Sequence, residues 1–105
     1  MAGEKQYKII VSDRAKQMLG THMSFLAKVN KEAARKKKKQ LIDAMKSLAV
    51  MPERHPFFEE EYIPKGKYHK MYVENWYLIL YQIKDDRVEV DYILDFRQET
   101  RGNKH

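Results

Sequence analysis

Three runs rich in apolar residues, Lys67–Val73, Trp76–Ile83 and Val88–Leu94, stand out between polar breaks in the C-terminal half of the chain. Aromatic and β-branched residues dominate them, as strands prefer. Glu74-Asn75 and Asp85-Asp86 separate the runs, and Asn and Asp tolerate the left-handed backbone of two-residue hairpin turns. The pattern predicts a three-stranded antiparallel meander within Tyr62–Gln98. Upstream, the short apolar run Tyr7–Val11 predicts a first strand. Ser12 or Asp13 caps the helix that follows, because its side-chain oxygen accepts orphan amide hydrogens of the first turn. Ala15, Met18, Leu19, His22, Phe25, Leu26 and Val29 then recur at helical spacing and form one apolar stripe.

Asn30 caps a second helix, from about Lys31 to Val50, with the stripe Ala34, Leu41, Met45, Leu48 and Ala49. Lys38 falls in register with that stripe. So short a link between helices implies an antiparallel hairpin. Pro52 ends the second helix, and Met51–Phe58 is an extended connector that tucks the Phe57 or Phe58 ring under the helices. Pro64-Lys65-Gly66-Lys67 makes the turn into the meander. The predicted order is β-α-α-β-β-β: an α+β fold with a helical hairpin packed on a mainly antiparallel four-stranded sheet. Residues 1–105 make one domain, with its core over about 7–98 and a polar tail over 99–105.

The two turns also predict a register. Pairing Val73 with Trp76 sets His69 opposite Leu80, and pairing Lys84 with Arg87 sets Leu80 opposite Asp91. Side chains alternate with period two. One face then carries Tyr68, Lys70, Tyr72, Tyr77, Ile79, Tyr81, Ile83, Val88, Val90, Tyr92 and Leu94, and is the expected core face. The other carries His69, Met71, Val73, Trp76, Leu78, Leu80, Gln82, Glu89, Asp91, Ile93 and Asp95, and mixes apolar with titratable residues. The functional site is expected there or on its rim. A slip of one residue in either turn exchanges the faces.

Composition narrows the chemistry. The chain has no cysteine, so thiolate nucleophiles, disulfides and zinc–thiolate sites are excluded, which fits a reducing cytoplasm. Met1–Lys8 is polar and lacks the apolar segment of a signal peptide, and the apolar runs are too short to span a bilayer. The formal charge of +6 favours a polyanionic or acidic partner. Its densest block is Arg35-Lys36-Lys37-Lys38-Lys39. Five successive residues step around the whole helix, so the block is either a solvated helix surface or a phosphate-binding or acidic-partner surface.

No phosphate-binding glycine loop, nucleophile elbow or HExxH motif occurs. The four histidines, His22, His55, His69 and His105, share no ligand spacing, so neither a metal nor a cofactor is expected. His22, on an apolar stripe, reads as a packed histidine. His69 titrates near neutrality in water and lies, in the predicted register, near Asp91 and Glu89, with Arg97 at the end of the last strand. Lys65, Lys67 and Lys70 cluster at the start of the meander. A histidine flanked by carboxylates and cations suffices for metal-free RNA cleavage: a base takes the 2′-hydroxyl proton, cations hold the phosphate and an acid protonates the leaving oxygen. The alternative is an exposed sheet face whose carboxylates pair with nearby lysines.

The opening YKIIVSDRAKQML, the segment YIPKGKYHKMYV and the pattern NWYLILYQIKDDRVEVDYILDFRQ resemble the RelE/ParE superfamily over about residues 7–98. That resemblance implies a toxin of a bacterial type II toxin–antitoxin system, of the kind also called plasmid stabilisation proteins. RelE-like members cut messenger RNA on the ribosome; ParE-like members poison DNA gyrase without nuclease residues. Matched through Tyr81-Gln82, the paired lysines of the RelE type fall on His69 and Met71, its central arginine on Leu78 and its C-terminal arginine on Arg97. The cationic positions at His69, Met71 and Leu78 are thus absent. The expectation is a ribosome-dependent endoribonuclease with His69, Arg97 and Asp91 as catalytic residues. Lys65, Lys67, Lys70 and Arg35–Lys39 would hold RNA phosphate. The alternatives are a DNA gyrase inhibitor and an inactive relative. Each implies a cognate antitoxin, acidic and folding on binding.

Overall fold

The computed structural model describes residues 5–96. Strand β1 (Lys8–Val11) leads into helices α1 (Asp13–Val29) and α2 (Lys31–Lys46), and β2 (His69–Val73), β3 (Tyr77–Lys84) and β4 (Arg87–Asp95) follow. The sheet order is β1-β4-β3-β2, with β1 parallel to β4 and the meander strands antiparallel. The helical hairpin covers one side of this mixed sheet, as the α+β reading expects. No helix among the described residues is long and apolar enough to cross a membrane.

The predicted caps form. Ser12 Oγ accepts the Ala15 amide at 3.0 Å, and Asn30 Oδ1 accepts the Ala33 amide at 3.0 Å. Asn30 also donates its own N–H to the Leu26 carbonyl at 2.9 Å, so one residue closes α1 and opens α2. Such a link leaves the hairpin no slack. The second helix stops earlier than its apolar pattern suggested, at Lys46, and a 3₁₀ turn (Ser47–Ala49) carries Leu48 into the core. A second 3₁₀ turn (Pro52–Arg54) interrupts the connector expected to be extended, with Pro52 in its first turn.

The predicted register fails in two places, each by one residue. Glu74 and Asn75 are left-handed (φ 57° and 52°), and Trp76 N–H closes the turn on the Val73 carbonyl at 3.0 Å, as expected. The ladder nevertheless pairs Val73 with Tyr77, so Trp76 is an extra residue. Its ring stacks on Tyr77 (5.7 Å, 7°) beneath the Lys37 ammonium (4.4 Å), which favours the longer loop. The second turn pairs Lys84 with Arg87 as predicted, but the register shifts between Leu80 and Tyr81, where Asp91 is left over as a β-bulge. There the chain also hands over to α1, since Ser12 N–H binds the Val90 carbonyl at 2.9 Å and Ser12 Oγ reaches the Asp91 carbonyl at 3.4 Å.

Each extra residue inverts the alternation beyond it. His69, Met71, Val73 and Ile93 therefore lie on the helix side with Tyr77, Ile79, Tyr81, Val88 and Val90, where Ala15, Leu41, Met45 and Leu48 cover them. Tyr68, Leu78, Leu80, Tyr92 and Leu94 lie on the opposite side. The expected core face was correct for β3 residues 77, 79 and 81 and for Val88 and Val90, and inverted for β2 and for the end of β4.

Tyr81 anchors the core to the connector. Its side chain is fully buried, its hydroxyl donates to the Pro52 carbonyl at 2.6 Å, and burial pushes its pKa up to about 12. Arg54 fastens the same segment, donating to the Val50 carbonyl at 2.6 Å and to Ser47 Oγ at 3.2 Å. Tyr81→Phe leaves the carbonyl of buried Pro52 without this donor. The expected cost is about 1–3 kcal/mol, read as a lower urea midpoint with an unchanged m value.

Candidate functional site

The side of the sheet away from the helices forms an open groove, and the connector builds one wall. Phe58 N–H binds the Tyr68 carbonyl at 2.7 Å and Lys70 N–H binds the Pro56 carbonyl at 2.9 Å, so the chain runs beside β2. It returns through Tyr62-Ile63-Pro64 and turns at Gly66, whose φ of 71° suits glycine. Phe58 and Ile63 pack against Tyr68, Leu80, Tyr92 and Leu94, and with Tyr62, Pro64 and Lys67 these residues enclose about 360 Å³. Of the two rings, one of which was expected beneath the helices, Phe57 lies on that side against His69, while Phe58 lines the groove.

Cations rim this aromatic surface. The Arg14 guanidinium lies 4.7 Å from the Tyr92 ring centre, and the ammonium groups of Lys67 and Lys70 lie 5.5 and 5.8 Å from the Tyr68 and Tyr72 rings. Tyr68 and Tyr92 meet edge to face at 5.8 Å. A carboxylate enters the groove here: Asp91, re-aimed by the bulge, accepts from Gln82 Nε2 at 2.8 Å. Burial, with the Asp91 carboxylate beside the hydroxyl, raises the Tyr68 pKa. The exposed acidic run Glu59–Glu61 lines a separate shallow depression with Ile63 and Lys65.

The structure does not assemble the catalytic group expected from the sequence. His69 lies on the helix side, 8% exposed, with its ring between Phe57 (4.2 Å) and Tyr81 (5.3 Å, 15°). Its Nδ1–H donates to the His55 carbonyl at 2.7 Å. Asp91 lies on the other side of the sheet, so the pair does not meet. Glu89 joins neither, because Arg87 holds it at 2.8 Å and Lys84 approaches at 3.6 Å; the Arg87 hydrogen bond lowers its pKa. Arg97 and the tail 99–105 lie outside the described residues. Lys65 and Lys67 are exposed beside the groove, and Lys70 is half-buried at its edge. Arg35–Lys39 sit on α2, on the opposite side of the molecule. Among the described residues no three His, Asp or Glu side chains converge as a metal site requires.

Sequence reasoning placed Gln82 on the site face but missed Arg14, and it set Tyr68, Tyr92 and Leu94 on the core face. The signal for those last three side chains was the pair of extra residues, Trp76 and Asp91, which only tertiary pairing reveals. His22, read as packed, does pack: its Nε2 is 2.7 Å from the Ile93 carbonyl, and its ring is 5.3 Å from that of Tyr77. His55 is half-buried beside Tyr81, and its Nε2 has no partner among the described residues. Burial, then Arg54 and His69, hold its pKa below the ordinary histidine value.

A histidine with a depressed native pKa favours folding fully above its unfolded value, about 6.5, and loses that contribution as pH falls through the native pKa. The urea midpoint is expected to fall as pH drops from about 7.5 to 5. His55→Gln, which removes the titrating group, is expected to flatten that descent.

Comparison with known proteins adds a family. A family model described as the ParE toxin of a type II toxin–antitoxin system, parDE, matches residues 9–101. Among solved structures, a chain of the chromosomal ParDE toxin–antitoxin system from P. aeruginosa has the same fold. The two share 14% identity with a TM-score of 0.71, over 86% of this chain and 96% of that one. No curated protein sequence matches.

Proposed function

The chain belongs to the ParE toxin family of type II toxin–antitoxin systems, and on that footing we propose that it arrests growth by binding DNA gyrase rather than by cutting messenger RNA. One observation carries this reading. His69, the residue offered for proton transfer, is enclosed between Phe57 and Tyr81, and the carboxylate offered as its partner, Asp91, faces the other side of the sheet. Concerted cleavage at a ribose needs base, acid and phosphate-holding cations within hydrogen-bond reach of one substrate. A toxin that works by occupying a protein target needs none of these.

The open groove has the composition of a protein-binding surface. It offers apolar and aromatic anchors at its centre and charge at its rim, where a partner gains specificity and association rate. We assign it to the antitoxin. An acidic segment that folds on binding would bury Tyr62 and Tyr72, which are 90% and 49% exposed, and meet the ammonium groups of Lys67 and Lys70. Reversing both lysines to glutamate is expected to weaken antitoxin binding on the order of tenfold or more, chiefly through a slower association rate at low salt.

The target is tested in cells induced for the toxin, by scoring plasmid supercoiling beside primer extension on an abundant message. Intact messages with relaxed or cleaved plasmid are expected, and a folded His69→Gln variant is expected to stay toxic. In-frame cuts that vanish when translation is blocked would overturn the reading and return His69 and Arg97 to candidacy for the chemistry.

A further inference from the structure

Helix α2 carries the densest run of cations among the described residues. Each of its eight exposed residues is charged: the cations Lys31, Arg35, Lys36, Lys38, Lys39 and Lys46, and the acids Glu32 and Asp43. The basic block does not spread evenly, as its sequence spacing implied. Lys37 turns aside to cover the Trp76 ring at 4.4 Å, and the apolar positions Ala34, Leu41 and Met45 are buried. Lys31, Arg35 and Lys39 then follow one another at four-residue steps, about 6 Å apart along the axis, and Lys46 continues the ridge. Glu32 pairs with Arg35 at 2.9 Å and Asp43 with Lys39 at 3.1 Å. These pairs are exposed and weak, so they orient the cations without neutralising the ridge.

We propose that this face of α2 docks on the phosphate backbone of duplex DNA. Charge complementarity supplies the attraction, and the composition of the face selects the partner. Protein interfaces draw most of their affinity from a few centrally buried anchors, chiefly Trp, Tyr and Arg, and here no exposed residue of α2 is apolar or aromatic. Single strands are held by stacking bases on exposed rings, and the nearest ring, that of Trp76, lies under Lys37. A straight helix of sixteen residues fits the wide major groove of B-form DNA and the phosphates flanking it, whereas the major groove of duplex RNA is too narrow to admit it. This surface lies across the molecule from the groove assigned to the antitoxin. The inference is independent of the gyrase reading: either can fail alone.

The test is fluorescence anisotropy of the isolated toxin with an arbitrary DNA duplex of about 20–30 base pairs, between about 50 and 200 mM salt. The same sequence is run as single-stranded DNA and as duplex RNA. One variant replaces Lys31, Lys39 and Lys46 by glutamine. A control of equal net charge replaces Lys8, Lys16 and Lys28. All six sites are exposed, and circular dichroism confirms folding of each variant. The ridge variant is expected to bind duplex DNA on the order of tenfold or more weaker, with a log–log salt slope smaller by about one for each lysine removed. The control is expected to stay within about threefold of the parent, a change in net charge alone. The proposal is overturned if the parent fails to bind at the lowest salt, if ridge and control variants weaken equally, or if single strands or duplex RNA bind as tightly as DNA.

Discussion

A residue in a strand belongs to one face or the other by parity, and parity changes only where the ladder takes in an extra residue. This chain takes in two, Trp76 and Asp91. Trp76 turns β2 over relative to β3, bringing His69, Met71 and Val73 under the helices. Asp91 turns over the end of β4, delivering Ile93 to the core and Tyr92 and Leu94 to the groove. Both insertions sit where other contacts favour them: Trp76 between Tyr77 and the Lys37 ammonium, Asp91 where the Ser12 cap meets the sheet. The groove is a product of these two steps.

The molecule thereby acquires two surfaces of unlike chemistry. Across the sheet, aromatic rings and aliphatic residues form a groove with Arg14, Lys67 and Lys70 at its margin. On α2, charge is exposed without apolar relief. The connector between them is held by Tyr81 and Arg54 through backbone carbonyls, so its path does not depend on the identity of most of its own side chains. A left-handed Met51, with φ of 49°, is tolerated there because these hydrogen bonds over-determine the turn.

Much of this architecture is legible in local sequence. Ser12 and Asn30 mark both helix starts, the apolar periods separate helices from strands, and Glu74-Asn75 and Asp85-Asp86 locate both hairpins. The family, too, follows from the strand pattern. The face of each strand was not legible, because a two-residue turn signal is compatible with a three-residue loop when a large ring at its end finds a helix to pack against. The site assignment inherited that error: His69 and Asp91 are neighbours in the predicted ladder and lie on opposite sides of the real one. The basic block misled in the reverse sense. Spacing alone spread its charge around α2, whereas Lys37 turns aside to Trp76 and the other four cations share the exposed face.

The parallel pairing of β1 with β4 has a consequence for how a cell makes this protein. Lys8–Val11 must find Arg87–Val90, so the first strand synthesised is held by the last. Contacts this distant in sequence are made late, because the intervening loop must close before they contribute. At roughly 5–20 residues per second, β1 waits several seconds for β4, its neighbour among the described strands. The sheet, and the groove on its far side, therefore come into being together, once β4 has been made. Until β4 is in place, a growing chain carries no finished groove for a partner to seize.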